Sequence, residues 1–323
     1  MRILITIALF FCTPLFLVAQ VEKENIDQDR IEILASAVLQ ELPAIKKDSL
    51  NGLLKKELSI IITNHNAFHF SFNRVKSLSI ITSPDSAFRI FNWEVSYLDG
   101  TNKYECLLVK NLGNEYTVEV LQPLDSIFQK QALENQQLDI NNWLPSLYYD
   151  VIPVKSRSQI FYTLLAWDGN DLLTNKKYIE VLWFDKTGKT HFGAPIFQDN
   201  RSVKSRVIFE FGGQNAMNLN FEKEMERIYY SHLAPPTSNL EGIYEYYGAD
   251  ITFDAYQWKG NYWQLINEVI PAWADPKGRT ETSVTKRTFE NKDVANPNEA
   301  AKILRKSEKQ KKIADEKLKE EAK

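Results

Sequence analysis

The hydrophobic period of this chain changes once, and that change limits what the chain can fold into. Near the start, apolar residues recur every three or four positions: Ile31, Leu34, Val38 and Leu42, then Leu50, Leu54, Leu58 and Ile61. This is the spacing of two helices with one buried stripe each. Pro43 ends the first, and Asp48-Ser49 is placed to cap the second. From Phe68 the period falls to two. Phe68, Phe70 and Phe72 alternate with polar residues, and apolar runs follow at Leu78–Ile81, Phe88–Tyr97, Tyr104–Lys110 and Tyr116–Leu121. Ser83-Pro84-Asp85, Asp99-Gly100-Thr101-Asn102 and Asn111-Leu112-Gly113-Asn114 fill the gaps with turn chemistry, so the segment reads as an antiparallel meander of about four strands.

A polar, Gln- and Asn-rich connector (Pro123–Asn142) leads to a second, longer meander. Its predicted strands are Leu147–Val154, Gln159–Trp167, Lys177–Phe184, Thr190–Phe197, Arg206–Phe211, Met217–Phe221, Arg227–Leu233, Ile243–Tyr247, Thr252–Trp258 and Tyr262–Ile266. Many short strands without intervening helices exclude a doubly wound or barrel-type α/β fold. The expected class is mainly β, with antiparallel meanders forming a sandwich or curled sheets. A propeller-like grouping is also suggested, although only about three four-stranded groups fit and a propeller needs at least ~4 blades. The segments divide as 1–20, 21–135 (helices plus first meander), 136–276 (second meander) and 277–323, a charged tail that is helical or disordered.

The first segment has the make-up of a secretory signal peptide. Arg2 gives a positive start, Ile3 to Val18 is almost wholly apolar, and Leu17-Val18-Ala19 supplies small residues before Gln20. No later segment is apolar enough to span a bilayer, so no transmembrane segment is expected once the signal is removed. The expected location is periplasmic or secreted. Cys12 lies within the apolar run, which leaves Cys106 as the one cysteine of the mature chain and no internal disulfide. The 39 basic and 42 acidic residues nearly balance, which excludes a polyanion such as nucleic acid as the natural partner.

Catalytic signatures are missing. The 12 glycines form neither a dinucleotide fingerprint nor a phosphate loop, and there is no Gly-x-Ser-x-Gly or His-Glu-x-x-His. No cofactor is expected. His65 and His69 sit in a segment that reads as extended, where four residues span ~13 Å, too far for one ion. Asp168-Gly169-Asn170-Asp171 is the best metal candidate, because calcium takes oxygen ligands from tight loops. The same residues are what a hairpin turn requires. Aromatics crowd the second meander, among them Trp167, Trp183, Trp258, Trp263, Tyr244, Tyr246, Tyr247 and Tyr256. Trp167 and Tyr247, with Asp250 and Asp254 as acceptors, form a candidate groove for a glycan or peptide; the competing reading is that these rings fill the core. Asp250 and Asp254 are also the only suggestion of a glycosidase carboxylate pair, and on one strand they would project from the same wall rather than flank a bond.

Tyr148-Tyr149-Asp150-Val151-Ile152-Pro153, Trp167-Asp168-Gly169-Asn170, Phe192-Gly193-Ala194-Pro195-Ile196-Phe197 and His232-Leu233-Ala234-Pro235 resemble the signature of an uncharacterised exported protein family of Bacteroidetes-type bacteria. Leu240-Glu241-Gly242, Tyr247-Gly248-Ala249-Asp250 and Phe253-Asp254-Ala255-Tyr256 fit it too. The resemblance implies export and a Gram-negative envelope, and no catalytic residue. Exported proteins of such bacteria can carry O-glycans at Asp-Ser/Thr before an apolar residue, a short pattern met at Asp48-Ser49-Leu50, Asp85-Ser86-Ala87 and Asp125-Ser126-Ile127. The functional expectation is a non-catalytic binding or interaction module whose partner is an envelope protein or glycan. An envelope hydrolase is the alternative.

Overall fold

The computed structural model describes residues 3–64, 67–68, 70–113, 115–124, 130–199 and 202–274, with the backbone alone for 3–21, 64, 130, 131 and 274. Residues 3–271 belong to one compact unit. It opens with helices α1 (Ile3–Gln40) and α2 (Ala44–Asn64). Pro43 lies in the break between them, as its ring requires. Ile31, Ala35 and Val38 on α1 and Leu54, Leu58 and Ile61 on α2 are buried together. Two details of the sequence reading change. Leu42 stands in the interhelix turn and is exposed, and Asp48-Ser49 lies inside α2, where Ser49 donates to the Ile45 carbonyl instead of capping. Among the described residues no helix is long and apolar enough to cross a membrane.

Phe68, Phe70 and Phe72 do not lie in a strand. The described residues between α2 and the first sheet form turns and bends, and Phe70 and Phe72 still enter the core, where Phe72 meets Phe91 edge-on at 4.9 Å. The first sheet is the expected meander: β1 (Ser79–Thr82), β2 (Phe88–Ser96), β3 (Asn102–Asn111) and β4 (Tyr116–Val120), in sequence order and antiparallel throughout. Alternation sends its side chains to two different cores. Phe91, Trp93, Val95, Leu107 and Val109 face the helices. Phe88, Ile90, Tyr104, Cys106 and Leu108 face the second meander. Two polar contacts fix the helix layer: Trp93 Nε1 donates to Asn51 at 2.7 Å, and the half-buried Glu105 receives Asn51 and Lys55.

After the short helix α3 (Lys130–Asn135), strands β5 (Leu138–Asp139), β6 (Leu147–Ser156), β7 (Gln159–Asp168), β8 (Thr174–Phe184) and β9 (Thr190–Phe192) form a curled middle sheet ordered β5-β9-β8-β7-β6. The expected strand Thr190–Phe197 is broken at Gly193. Its φ of 83° is one that glycine adopts freely, and it carries the chain from the middle sheet into an outer one. The outer sheet holds β10 (Phe197–Gln198), β11 (Val203–Lys204), β13 (Leu219–Glu222), β14 (Arg227–Ala234), β15 (Gly248–Trp258) and β16 (Trp263–Ile266), while β12 (Val207–Gly212) pairs with β8. One pair, β10 with β16, is parallel. Residues 243–247, expected as a strand, form a 3-10 turn over Tyr244–Tyr246.

The result is a mainly β body in four layers: helices, first sheet, middle sheet, outer sheet. Leu165, Ile179 and Val181 on the far face of the middle sheet meet Ile228, Tyr230, Tyr256 and Trp263 of the outer sheet. The two meanders are therefore not separate bodies; Phe88, Ile90 and Leu108 share one core with Tyr162, Leu164 and Leu182. Cys106 is at its centre, 0% exposed, and burial pushes its thiol well above the usual range. Native Cys106 is expected to resist a maleimide for hours and to react fully once the protein is unfolded in urea, as read by peptide mass mapping. Rapid native labelling would contradict this packing.

Candidate functional site

The Asp168–Asp171 loop is the hairpin turn between β7 and β8, with Asn170 in left-handed geometry (φ 43°). Its oxygens are already engaged. Asp168 accepts the Asn170 amide at 2.8 Å and the Tyr178 hydroxyl at 2.7 Å. Asp171 accepts the Leu173 and Thr174 amides, both at 2.8 Å. The Asn170 carbonyl oxygen receives the Lys176 ammonium at 2.7 Å. Lys176 thus holds the Asn170 side-chain oxygen, and the donors around both carboxylates are those of a self-closed turn. Among the described residues, no group of three or more His, Cys, Asp or Glu side chains converges to hold a metal. No chemistry is routed through an ion at Asp168, Asn170 and Asp171.

The first sheet meets this turn at Glu94, Asn102 and Tyr104, residues that the sequence did not single out. The Gly169 amide donates to the Tyr104 hydroxyl at 2.8 Å, and the Asn102 amide nitrogen reaches Glu94 Oε1 at 3.0 Å. A side chain at Gly169 would lie 2.7 Å from Asn102 and 3.0 Å from the Trp167 ring, so the Trp167–Gly169 corner has no spare room. Desolvation and the nearby Asp168 carboxylate raise the Glu94 carboxyl above its ordinary range. A charged residue within Phe-Asn-Trp-Glu-Val was the available sequence signal.

Among the described residues, no hydrogen bond or ring contact links the four proposed binding residues to one another. Trp167 is half-buried on β7, opposite Leu147 and Lys177. The Tyr247 hydroxyl receives the Gly242 amide at 3.0 Å, its ring lies 5.1 Å from that of Tyr244, and its carbonyl takes the Gly212 amide at 2.9 Å. Between β14 and β15 the register jumps from Ser231↔Phe253 to Leu233↔Ala249, which leaves extra residues on β15. This bulge breaks the alternation that would set Asp250 and Asp254 on one wall. Asp250 is turned outward, accepting from Thr252 (2.7 Å to its amide) with His232 Nδ1 at 2.8 Å. Burial acts to raise its carboxyl, but these partners outweigh it and hold it low. Asp254 is buried and accepts the Glu268 amide at 3.0 Å. Neither hydrogen bond nor ring contact joins Trp167 to Tyr247, or one aspartate to the other, among the described residues. Trp263 and Tyr256 belong to the sandwich core, as the competing reading held.

Two of the surface concavities among the described residues carry chemistry of interest. One, of about 460 Å³, is lined by Gln136, Gln137, Asp139, Asn142, Lys189 and His191 with two leucines. The His191 ring lies 4.5 Å from Trp183, nearly parallel to it. Gln137 Nε2 is 2.9 Å from Nδ1, and Nε2 is 3.1 Å from Asp185. With the amide donating to Nδ1, the ring proton sits on Nε2 and goes to Asp185, so neither nitrogen is free to act as a base. The other concavity, of about 450 Å³, lies along the helical hairpin between Ile26, Ile33, Leu34 and Leu53, rimmed by Asp29, Arg30 and Glu57. Its apolar side chains stand out: Ile26 is 61% exposed, Ile33 69% and Leu53 50%.

His65, His69, Asp125-Ser126-Ile127 and the tail from 277 onward lie outside the described residues. Of the other two glycan patterns, Ser49 is on α2 and Ser86 is in the β1–β2 turn at a φ of 57°. No protein-family model, no curated protein and no solved structure matches this chain.

Proposed function

We propose that the protein is exported to the periplasm or secreted, and that it acts there as a non-catalytic interaction module docking on an envelope protein. The observation that carries the docking reading is the apolar groove of the α1–α2 hairpin, where the exposed Ile26, Ile33 and Leu53 gather along one concavity. Its ridge of isoleucine and leucine with a charged rim suits the apolar face of a partner helix. Export is supported by the Arg2-to-Ala19 pattern and by the resemblance to exported proteins. The non-catalytic reading is supported by the engagement of Asp250, Asp254 and His191 with protein partners.

The test is crosslinking in intact cells, with capture and mass spectrometry of the wild type beside an Ile33→Glu, Leu53→Glu variant. Charges in the centre of such a contact are expected to cut recovery of a specific envelope partner at least about tenfold, the equivalent of ~1.4 kcal/mol. Both positions are at least half exposed, so the thermal unfolding midpoint should hardly move. Equal recovery with the variant would remove the docking reading, and fractionation with cytoplasmic markers would remove export. Turnover of an envelope glycan or peptide, lost in Asp250→Asn, would replace both with the hydrolase reading.

A further inference from the structure

Three segments far apart in the chain close around a concavity of about 450 Å³ where the middle sheet meets the outer one. They are the β6–β7 hairpin from Ser156 to Phe161, the crossover from Pro195 to Gln198, and Asn261-Tyr262 of the β15–β16 turn. Its walls are fixed by bonds between them. The Ile196 carbonyl receives the Trp263 amide at 2.7 Å, and Phe197 pairs in parallel with Trp263. The Ser156 hydroxyl reaches Asn261 Oδ1 at 3.4 Å, across 105 positions of sequence. The Phe161 ring stands edge-on to Trp183 at 6.0 Å.

Arg157 is the unusual residue of this lining. Ser156 pairs with Gln159, so Arg157 and Ser158 make a two-residue hairpin loop. The φ of Arg157 is 55°, whereas Ser158 is not left-handed. A positive φ at the first loop residue is what a II′ turn requires, and glycine takes it without the crowding that a Cβ brings. Residues held in such geometry concentrate at ligand sites. Among the described residues the Arg157 guanidinium makes neither ion pair nor hydrogen bond. The described lining contains no Asp or Glu, so this cation is its one formal charge. Gln159 Nε2 already donates to the Ile160 and Phe184 carbonyls at 2.9 and 3.1 Å, which leaves its amide oxygen to accept. The Gln198 side-chain amide and the Tyr262 hydroxyl make no hydrogen bond among the described residues.

We propose that this concavity binds a uronic acid, a sugar ring that bears a carboxylate. The planar guanidinium of Arg157 takes the carboxylate through two parallel bonds. The amides of Gln159, Gln198 and Asn261 and the Tyr262 hydroxyl exchange hydrogen bonds with the ring hydroxyls, and Phe161 supplies apolar contact for the ring C–H groups. The volume falls in the range of small-molecule sites, roughly 300–1,000 Å³. A neutral sugar would leave the cation unused, and a phosphate would bring nearly ~2 negative charges to a single guanidinium. The site shares no residue with the helical groove, so it stands or falls independently of docking there.

Isothermal titration calorimetry of the purified full-length protein with D-galacturonate at low salt tests this. The expected Kd is about 1 mM or below, and D-galactose, which lacks the carboxylate, should bind at least about tenfold more weakly. Arg157→Gly is expected to weaken galacturonate at least about tenfold without lowering the thermal unfolding midpoint, because glycine suits this turn. Arg157→Lys keeps the charge but loses the fork, so its affinity should fall between the two. Tighter binding of trigalacturonate than of the monomer would assign the ligand to a polysaccharide, and equal binding would assign it to the free sugar acid; both support the site. No binding at about 10 mM galacturonate, equal affinity for galactose, or full affinity in Arg157→Gly would overturn the proposal. Inorganic phosphate bound as tightly as galacturonate, and lost in Arg157→Gly, would overturn it too.

Discussion

Arg206→Ala is expected to lower the unfolding free energy by about 3–5 kcal/mol, because it leaves a buried carboxylate without its counter-charge. Arg206 is fully buried, and its Nε lies 2.7 Å from Glu180, itself 1% exposed. Nη1 donates to the Leu133 carbonyl and, at 2.7 Å, to that of Gln136. Loss of the guanidinium therefore strands Glu180 inside the body and frees the end of α3 from the middle sheet. Glu180 retains only the Val181 amide at 2.8 Å, which cannot offset its desolvation. Arg206→Met with Glu180→Leu should recover most of the loss, since replacing both members of a buried pair with apolar groups is often neutral. Urea unfolding followed by circular dichroism, with the slope checked for constancy, measures both. A single-variant loss below about 1 kcal/mol would show that the carboxylate finds water or a proton more easily than this packing allows.

Trp263→Ala is expected to cost a comparable amount, about 3–5 kcal/mol, by opening a void between the middle and outer sheets. Trp263 is fully buried; its ring lies 5.2 Å from that of Trp258 and 6.5 Å from that of Phe221. Its Nε1 donates to Thr163 Oγ1 at 3.0 Å, bonding two residues 100 positions apart across the sandwich. Two further variants divide the effect. Thr163→Val leaves the indole N–H buried and unpaired at a cost of about 1–3 kcal/mol. Trp263→Phe keeps most of the ring volume, so its loss should fall well below that of Trp263→Ala. A Trp263→Phe loss equal to that of Trp263→Ala would shift the main contribution from packing to the hydrogen bond.

Strand identity was legible wherever apolar alternation was bounded by turn residues. The four strands of the first meander and β6 to β8 lie close to where period and turns place them. The misreadings have local causes. Phe68, Phe70 and Phe72 alternate like a strand, but they stand in turns and bends, with the Phe70 ring against Phe72 and Phe72 against Phe91. Ile243–Tyr247 is rich in β-formers and still closes into a 3-10 turn, with the Tyr247 amide bonded to the Tyr244 carbonyl at 3.0 Å. Tertiary context overrides strand propensity at such positions.

The candidate site was less legible, for a different reason. Asp168, Asn170 and Asp171 are ligand types by composition; only the folded loop shows Lys176 on the Asn170 oxygen. Asp250 and Asp254 are a pair by spacing, and the bulge on β15 separates them.

The sequence by itself determined the two-helix start, the antiparallel strands and most of their turns, because helix period, strand alternation and turn conformation are set by residues a few positions apart. Tertiary structure alone decided that the two meanders form one layered body, which face of each strand meets which sheet, and which charges are paired inside. The physical reason is distance along the chain: Arg206 finds Glu180, and Trp263 finds Thr163, only after whole sheets have stacked, and no local pattern records that meeting.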